Sequence, residues 1–494
     1  MSTPAPKVGY RLVDRTLTTP DLPSDIAFVQ GITKRGPVKD PKDLIYSWDQ
    51  FERLFGGLLT TSDFPMHCRA LLNRGITLRV SSIKKDAIKA TVDVVNGDTS
   101  APATLFTLES KYPGEDYNNL QVILSEPSDS ELGDFNMEIS FNGGEYTEYY
   151  ENVNTVETEL EAQLANSNWV SLESMGATIG SLSGADLIPE FQTLDFTNGD
   201  DGNVDVDSEL SDFSPFDDYE DSIFLSNLCD YPSDEIVLAT AGELYARTRK
   251  DLRYYHSIAY NSDPNVMVST RQDFPYSRFI SYSSGGWTVI HPNTGQQVAI
   301  SEISHFIGNG IQVINTEGWW FSFSGPQNTV PGVIKPAVNY GGKAQFNELD
   351  LLNRNQINMA INRNGVNMFW GNFSGQRENT HTKFISTNNL IIYMGKSLIP
   401  VLESFIEQPL DIPLFKEIYY QIKPFMDSLV NGRALFNYEW LGDQFAASLD
   451  ELQVNEAEDI QQGKYKVKLP ITRINPLQEF ELVIELTRAG VTIE

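Results

Sequence analysis

The sequence predicts an α/β (α+β) multidomain protein: a mixed-sheet core built from N- and C-terminal parts of the chain, a β-rich acidic inserted domain, and extended terminal arms. Three observations predict it. Strand, turn and helix signals succeed one another within residues 26–57; short alternating apolar runs take over from about residue 93; and charge is distributed very unevenly along the 494 residues. The net charge is −31, yet the window 112–246 holds 31 of the 67 acidic residues and none of the 36 basic ones, so the remainder is balanced. A segment of that charge is unsuited to nucleic acid and reads as a hydrated, outward-facing module.

Five parts follow in order: an extended arm at 1–24, a first core part at 25–92, the insertion at 93–222, a second core part at 223–463, and C-terminal strands with an arm at 464–494. In the first arm Val8, Tyr10 and Leu12 alternate with Gly9 and Arg11, and Pro20 and Pro23 forbid a helix after them. IAFVQG (26–31) reads as a short buried strand ended by Gly36-Pro37 and Asp40-Pro41. In SWDQFERLFGG, Ser47 is the expected N-cap and Gly56-Gly57 the stop, with Trp48, Phe51 and Phe55 on one face. A second helix at 64–74, holding Cys68, leads into the strand ITLRVSSI.

The insertion offers strands at 104–109, 120–124, 135–141 and 145–150, the last two joined by the hairpin signal Asn142-Gly143-Gly144. The stretch 195–222, rich in acids and free of bases, is expected to be a loose, hydrated loop. After it DEIVLAT, a basic helix over GELYARTRKDLRYYHSIAY, and strand-like ISYSSGGWTVIHP resume the alternation. Long helices are expected at 383–408 and 412–431; in the second, Phe415, Ile418, Tyr419, Ile422, Met426 and Leu429 keep helical spacing and Pro424 predicts a kink. Two alternating strands close the chain, at 464–474 and 479–487. Lys464, Lys466 and Lys468 of the first stand against Glu479, Glu481 and Glu485 of the second, which favours pairing between them or with strands of another copy.

A search for reactive groups yields no enzyme, no cofactor and no metal site. His67, His256, His291, His305 and His381 lack metal-ligand spacing, and Cys68 and Cys229 stand 161 positions apart, matching neither a disulfide framework nor a zinc motif. Gly395-Lys396-Ser397 imitates the end of a phosphate loop, but Leu390 occupies the place of its leading glycine. Asp205, Asp207 and Glu209, near Asp200 and Asp201, depart from a calcium loop in their glycine and glutamate positions. The start has no signal-peptide core and nowhere do 18 apolar residues run together, so a soluble chain made in the cytoplasm and not inserted in a membrane is expected.

The stretch IAFVQGITKRGPVKDPKDLIYSWDQFERLFGG resembles the N-terminal signature of contractile tail sheath proteins: an apolar strand, an R-G-P turn, a Ser-Trp helix start and a Phe-Gly-Gly stop. RALLNRGITLRVSSI, LESKYPGEDYNNLQVIL and VKLPITRINPLQEFELVIELT extend the resemblance through the insertion to the closing strands, while 257–380 match more loosely. The resemblance implies a self-assembling helical polymer of stacked, hexameric rings around an inner tube, with baseplate and terminal cap proteins as further partners, in a phage tail or a released injection particle. It implies that the arms add strands to neighbouring copies, through Val8, Tyr10 and Leu12 at one end and Phe480, Leu482, Ile484 and Leu486 at the other. It also places Lys416, Lys423 and Arg433 toward the tube. Two alternatives stand beside it: an acidic cytosolic enzyme with a β insertion, and a baseplate or collar protein sharing the sheath core.

Overall fold

A computed structural model describes residues 25–97, 102–129, 134–182, 184–202, 207–228, 235–448 and 451–476. Val8, Tyr10, Leu12, Phe480, Leu482, Ile484 and Leu486, together with Cys229 and Asp205, lie outside the described residues. The chain divides into two units: the larger spans 25–315 and 323–378, the smaller 316–322 and 379–476.

The larger unit opens on β1 (Ile26–Gly31), buried throughout, followed by β2 (Leu44–Ile45), α1 (Trp48–Phe55), α2 (Phe64–Leu72) and β3 (Thr77–Ser82). The Ser47 hydroxyl caps α1 by accepting from the Gln50 N–H at 3.2 Å. Gly56, with φ at 90°, stops it in the left-handed conformation that glycine adopts at little cost. Phe51 and Phe55 are buried and Trp48 stacks on Phe51 at 5.2 Å, so the aromatic face of α1 points inward.

The insertion comprises β4 (Thr91–Val95), β5 (Thr104–Ser110), β6 (Leu120–Ser125), β7 (Phe135–Phe141), β8 (Tyr146–Val153), α3 (Glu157–Leu164), β9 (Val170–Met175) and β10 (Thr193–Asp195). A three-stranded sheet, β4-β5-β9, and a four-stranded one, β10-β6-β7-β8, enclose a core of their own that includes Phe106, Phe135, Phe141 and Trp169. Asn142, Gly143 and Gly144 all take positive φ, which turns β7 back onto β8 as an antiparallel hairpin.

Beyond the insertion come α4 (Asp207–Leu210), β11 (Phe224–Ser226), α5 (Glu235–Arg249), β12 (Arg253–Ser257), α6 (Pro264–Asp273), β13 (Ile280–Ser284), β14 (Trp287–Ile290), β15 (Gln297–Ile300), α7 (Ile303–Thr316), β16 (Lys335–Pro336), α8 (Phe346–Arg354), β17 (Ile357–Arg363) and β18 (Val366–Trp370). Eight strands form one mixed sheet in the order β18-β17-β13-β12-β11-β1-β3-β2, parallel inside and antiparallel at both edges. Helices cover it, which is why β1, β12 and β13 are buried on both faces. At Gly242 of α5 a Cβ would lie 2.5 Å from the Tyr254 ring, so the close seating of this helix on β12 requires a residue without a side chain.

The sheet joins strands of the first core part to strands of the second, the last of which ends at Trp370. Two expectations are corrected here. The acidic stretch at 195–222 is not a loose loop: Phe213 and Phe216 are buried in the core, with Phe216 stacked on Phe28 at 5.0 Å. Its acids meet bases from the first core part, Glu209 and Asp212 meeting Lys39, and Asp221 meeting Arg79. Finally, residues 242–260 are not one helix; α5 ends at Arg249 and RYYHS forms the buried strand β12.

The smaller unit contains α9 (Ile385–Glu403), α10 (Ile412–Asn431), β19 (Leu435–Tyr438), α11 (Ala457–Gln461) and β20 (Ile471–Arg473). Ile418, Ile422, Met426 and Leu429 of α10 meet Leu390 and Met394 of α9 in its core. The Asp411 carboxylate caps α10 by accepting from the Leu414 N–H at 2.9 Å, and the helix continues through Pro424. Proline denies the Tyr420 carbonyl its partner on an exposed side, where solvent reaches it.

The expected strand over 464–474 shrinks to β20, which pairs antiparallel with β19, and to a single bridge between Lys468 and Leu441. Its inward alternation holds nevertheless: Tyr465, Val467, Leu469 and Ile471 are half-buried, Tyr465 stacked on Phe415 at 4.1 Å. Lys466 pairs with Asp459 of α11 at 2.6 Å; Glu479, Glu481 and Glu485, the partners expected across a ladder, lie outside the described residues.

Candidate functional site

The histidines are built into the fold. His67 bonds the Ser304 hydroxyl at 2.9 Å, the His291 ring nitrogen accepts from the N–H groups of Asn293 and Thr294, and His381 meets Asn475. His256 sits in a box of the Tyr254, Phe274 and Tyr282 rings, its Nε2 without a partner, and burial pushes its pKa down to about 3. A histidine depressed in the folded state loses its stabilising contribution as pH falls from its unfolded value toward its folded one. His256→Phe is therefore expected to be spared about 2 kcal/mol of the destabilisation that the wild type suffers between pH 6.5 and pH 5. Denaturant unfolding of both chains at the two pH values measures this, and equal losses would contradict it. The comparison between chains is needed because Glu235, raised to about 7 by burial, gains stability over the same interval.

Gly395-Lys396-Ser397 falls in the middle of α9, where the backbone N–H groups serve the helix and none can cradle a phosphate. Among the described residues no group of His, Cys, Asp and Glu is placed to hold a metal ion, and no helix is long and apolar enough to cross a membrane.

The most highly constructed polar site joins the first core part to the insertion. Arg35 lies in the R-G-P turn; its Nη1 reaches Asp116 Oδ2 at 2.7 Å, and Lys34 Nζ reaches the other carboxylate oxygen at 2.7 Å. The Arg35 Nη2 donates to the carbonyls of Glu52 and Arg53, closing the end of α1, and the guanidinium lies 4.5 Å from the Phe141 ring and 5.5 Å from Trp169. Beside it the Gly36 N–H donates to the Tyr117 hydroxyl at 3.1 Å, and burial raises that phenol's pKa. Lys84 adds a third link, to Asp201 at 2.5 Å and to the Lys34 carbonyl at 3.0 Å. Lys39 makes a separate link, to the stretch beyond the insertion: burial opposes its charge, but the hydrogen bonds to Asp212 and Glu209 outweigh that and raise its pKa. TKRGP and PGEDYNN, far apart in sequence, thus meet in one ion-paired joint, which neither motif announces alone.

In the smaller unit, β19 and β20 form a two-stranded ribbon whose outer edges have no strand neighbour among the described residues. A ribbon of two strands is marginal unless packed or extended. Phe436 on β19 is 74% exposed, and Arg473 anchors β20 through Thr387 Oγ1 at 2.6 Å and the Trp320 carbonyl at 2.9 Å. Of the three cations expected to share a surface of α10, Lys416 is exposed and Arg433 is exposed just past the helix end, with φ at 64°. Lys423 is paired with Asp427 at 2.5 Å; that hydrogen bond raises the lysine and lowers the carboxylate, which also accepts from the Tyr438 hydroxyl.

No protein-family model matches the sequence, and no curated protein matches it. Solved structures do match it. The crystal structure of a sheath tail protein from Listeria innocua shares the fold with a TM-score of 0.59 at 12% identity, over 91% of this chain and 95% of that one. The helical sheath of the anti-feeding prophage in its contracted state gives a TM-score of 0.58 at 10% identity, over 98% of this chain and 99% of that one. The sheath complex of the extracellular contractile injection system PVC, also contracted, gives 0.55 at 12% identity over 98% of both chains. The chain has a tail-sheath fold. At these identities the likeness is one of fold, and it runs through both units. Within this sheath fold the joint at Arg35 fastens the insertion to the body.

Proposed function

We propose that this chain is a subunit of a contractile sheath, polymerising as stacked hexameric rings around an inner tube and contracting to drive that tube through a target envelope. The observation that carries the reading is the sheath fold over nearly the whole chain, matched to helical sheaths in the contracted state. The ribbon of β19 and β20 supports it, because two open edges suit strands donated by other copies, and both chain ends carry the required alternation. Val8, Tyr10 and Leu12, and Phe480, Leu482, Ile484 and Leu486, are the donated side chains.

The work is mechanical. An extended sheath held behind a kinetic barrier falls cooperatively to a state with more buried inter-subunit surface, and no nucleotide or cofactor enters. At about 25 cal/mol per Å², a few hundred additional Å² of apolar burial per copy supplies several kcal/mol, multiplied over the polymer. Assembly takes place in the cytoplasm, on a baseplate and beneath a terminal cap, as part of a phage tail or injection particle. Negative-stain microscopy of the purified chain, alone and with its tube protein, is expected to show long hollow tubes. A single closed ring would favour a baseplate or collar role, and a small particle under every condition would remove the sheath reading.

Lys416, in the N-terminal part of α10, and Arg433, just past its C-terminal end, face the tube in this reading; Lys423, already paired with Asp427, contributes less. Reversing all three charges is expected to abolish co-assembly with the tube while leaving the fold intact. Unchanged co-sedimentation of tube and sheath would contradict the assignment.

A further inference from the structure

In a chain with 67 acidic and 36 basic residues, arginines gathered without a carboxylate require an explanation. Three are gathered at one end of the larger sheet. Arg271, fully buried at the end of α6, places its guanidinium 4.3 Å from the Tyr276 ring centre and 4.1 Å from that of Tyr282. It donates only to carbonyls, of Phe274 at 3.3 Å and Gly375 at 2.9 Å, and its buried Nε has no partner. The exposed Arg377 lies 5.6 Å from the same Tyr276 ring. Arg278 lies two residues further on, stacked on Phe279 at 4.5 Å, and is close enough to the buried Arg253 for each charge to oppose the other. No carboxylate stands within ion-pair distance of Arg271, Arg278 or Arg377 among the described residues. Arginines near a half-exposed tyrosine with no carboxylate beside them are left uncompensated in the isolated subunit and gain a partner when anions arrive. Arginine stacked on an aromatic ring is also preorganised to grip a carboxylate with its free N–H groups.

The same chain supplies the complement. Glu151 on β8 and Glu157 and Glu161 on α3 are exposed, and no cation occurs anywhere between 112 and 246 to satisfy them locally. We propose that the accessible Arg278 and Arg377, beside a Tyr276 ring stacked on the buried Arg271, dock carboxylates from the 112–246 segment of a neighbouring copy. The inference rests on the sheath reading, since it needs copies held side by side. It gives the acidic insertion a role in assembly: the charge that keeps free subunits apart becomes an attraction once the partner's arginines are in reach.

Three chains test it, each checked for folding by circular dichroism. For the wild type, the critical concentration for polymerisation is expected to rise several-fold between 50 mM and 500 mM NaCl, as screening weakens exposed ion pairs. The double variant Arg278→Glu with Arg377→Glu is expected to need about tenfold more protein at low salt and to lose most of the salt dependence. If it fails to fold, Arg278→Gln with Arg377→Gln replaces it with the same expectation. Arg377→Lys keeps the charge and permits zero-length carbodiimide coupling in the polymer. Mass spectrometry of mixed isotope-labelled copies is expected to find that position joined to an Asp or Glu between 112 and 246 of another copy. A charge-altered chain that polymerises like the wild type at every salt overturns the inference, as do cross-links confined to one copy, to the acidic C-terminal stretch, or absent. A wild type that never polymerises removes the sheath reading and this inference together, whereas a normal wild-type polymer with an unaffected variant removes this inference alone.

Discussion

A chain lacking residues 1–24 is expected to fold normally and to remain monomeric. The strand β1 begins at Ile26 and is flanked by β3 on one side and β11 on the other, so both of its edges are filled by residues after 24. A donated strand, by contrast, would bring several backbone hydrogen bonds worth about 1 kcal/mol each and the burial of Val8, Tyr10 and Leu12. Losing about 5 kcal/mol per contact raises the protein concentration needed for assembly by roughly a thousandfold or more. Size-exclusion chromatography and negative-stain microscopy at matched concentration make the comparison. Polymer of unchanged length from the truncated chain would rule out strand donation by this arm.

The second large effect is expected at the joint. Asp116→Ala strands Arg35 in a site where the arginine side chain is only 4% accessible and has no other carboxylate within ion-pair distance among the described residues. Removing one partner of a buried pair costs about 3–5 kcal/mol, whereas replacing both by apolar residues costs far less. Arg35→Met combined with Asp116→Leu should therefore recover much of the loss, although the carbonyls of Glu52 and Arg53 at the end of α1 would still lack their donor. Trp169, beside the guanidinium, is the one tryptophan of residues 93–222, and its signal is the difference between each chain and the same chain carrying Trp169→Phe. In Asp116→Ala the tryptophan transition in urea is expected to separate from that of the body, and a shift below about 1 kcal/mol would contradict the assigned role.

Where local signals carried the structure, sequence reading located it. Ser47 and Gly56 bracket α1 because a hydroxyl cap and a left-handed glycine are both written in residue type. Asn142-Gly143-Gly144 announces its hairpin in the same way, and the apolar spacing of α10 reflects a helix with one buried side. Where the stop signal is an unusual residue, reading failed: α5 ends at Lys250, which takes φ of 69° without being glycine, and β12 is buried on both faces and so shows no alternation. Residues 195–222 look solvated because their neutralising partners, Lys39, Arg79 and Lys84, come from a remote part of the chain. The Arg35–Asp116 pair was hidden for the same reason; both motifs were visible, but nothing in their spacing says that they touch. Of the candidate tube-facing cations, Lys416 and Arg433 are exposed, while Lys423 is paired with Asp427, a partner that its i,i+4 spacing on the helix already offered in the sequence.

On the sheath reading, the open ribbon of β19 and β20 would also report when a copy is completed by its neighbours. Unshared edge amides exchange their hydrogens with solvent quickly, whereas amides inside a finished sheet exchange at rates set by much rarer openings. Deuterium uptake at 435–438 and 471–473 should therefore fall by orders of magnitude as each copy takes its place, timing growth at single-subunit resolution without any label.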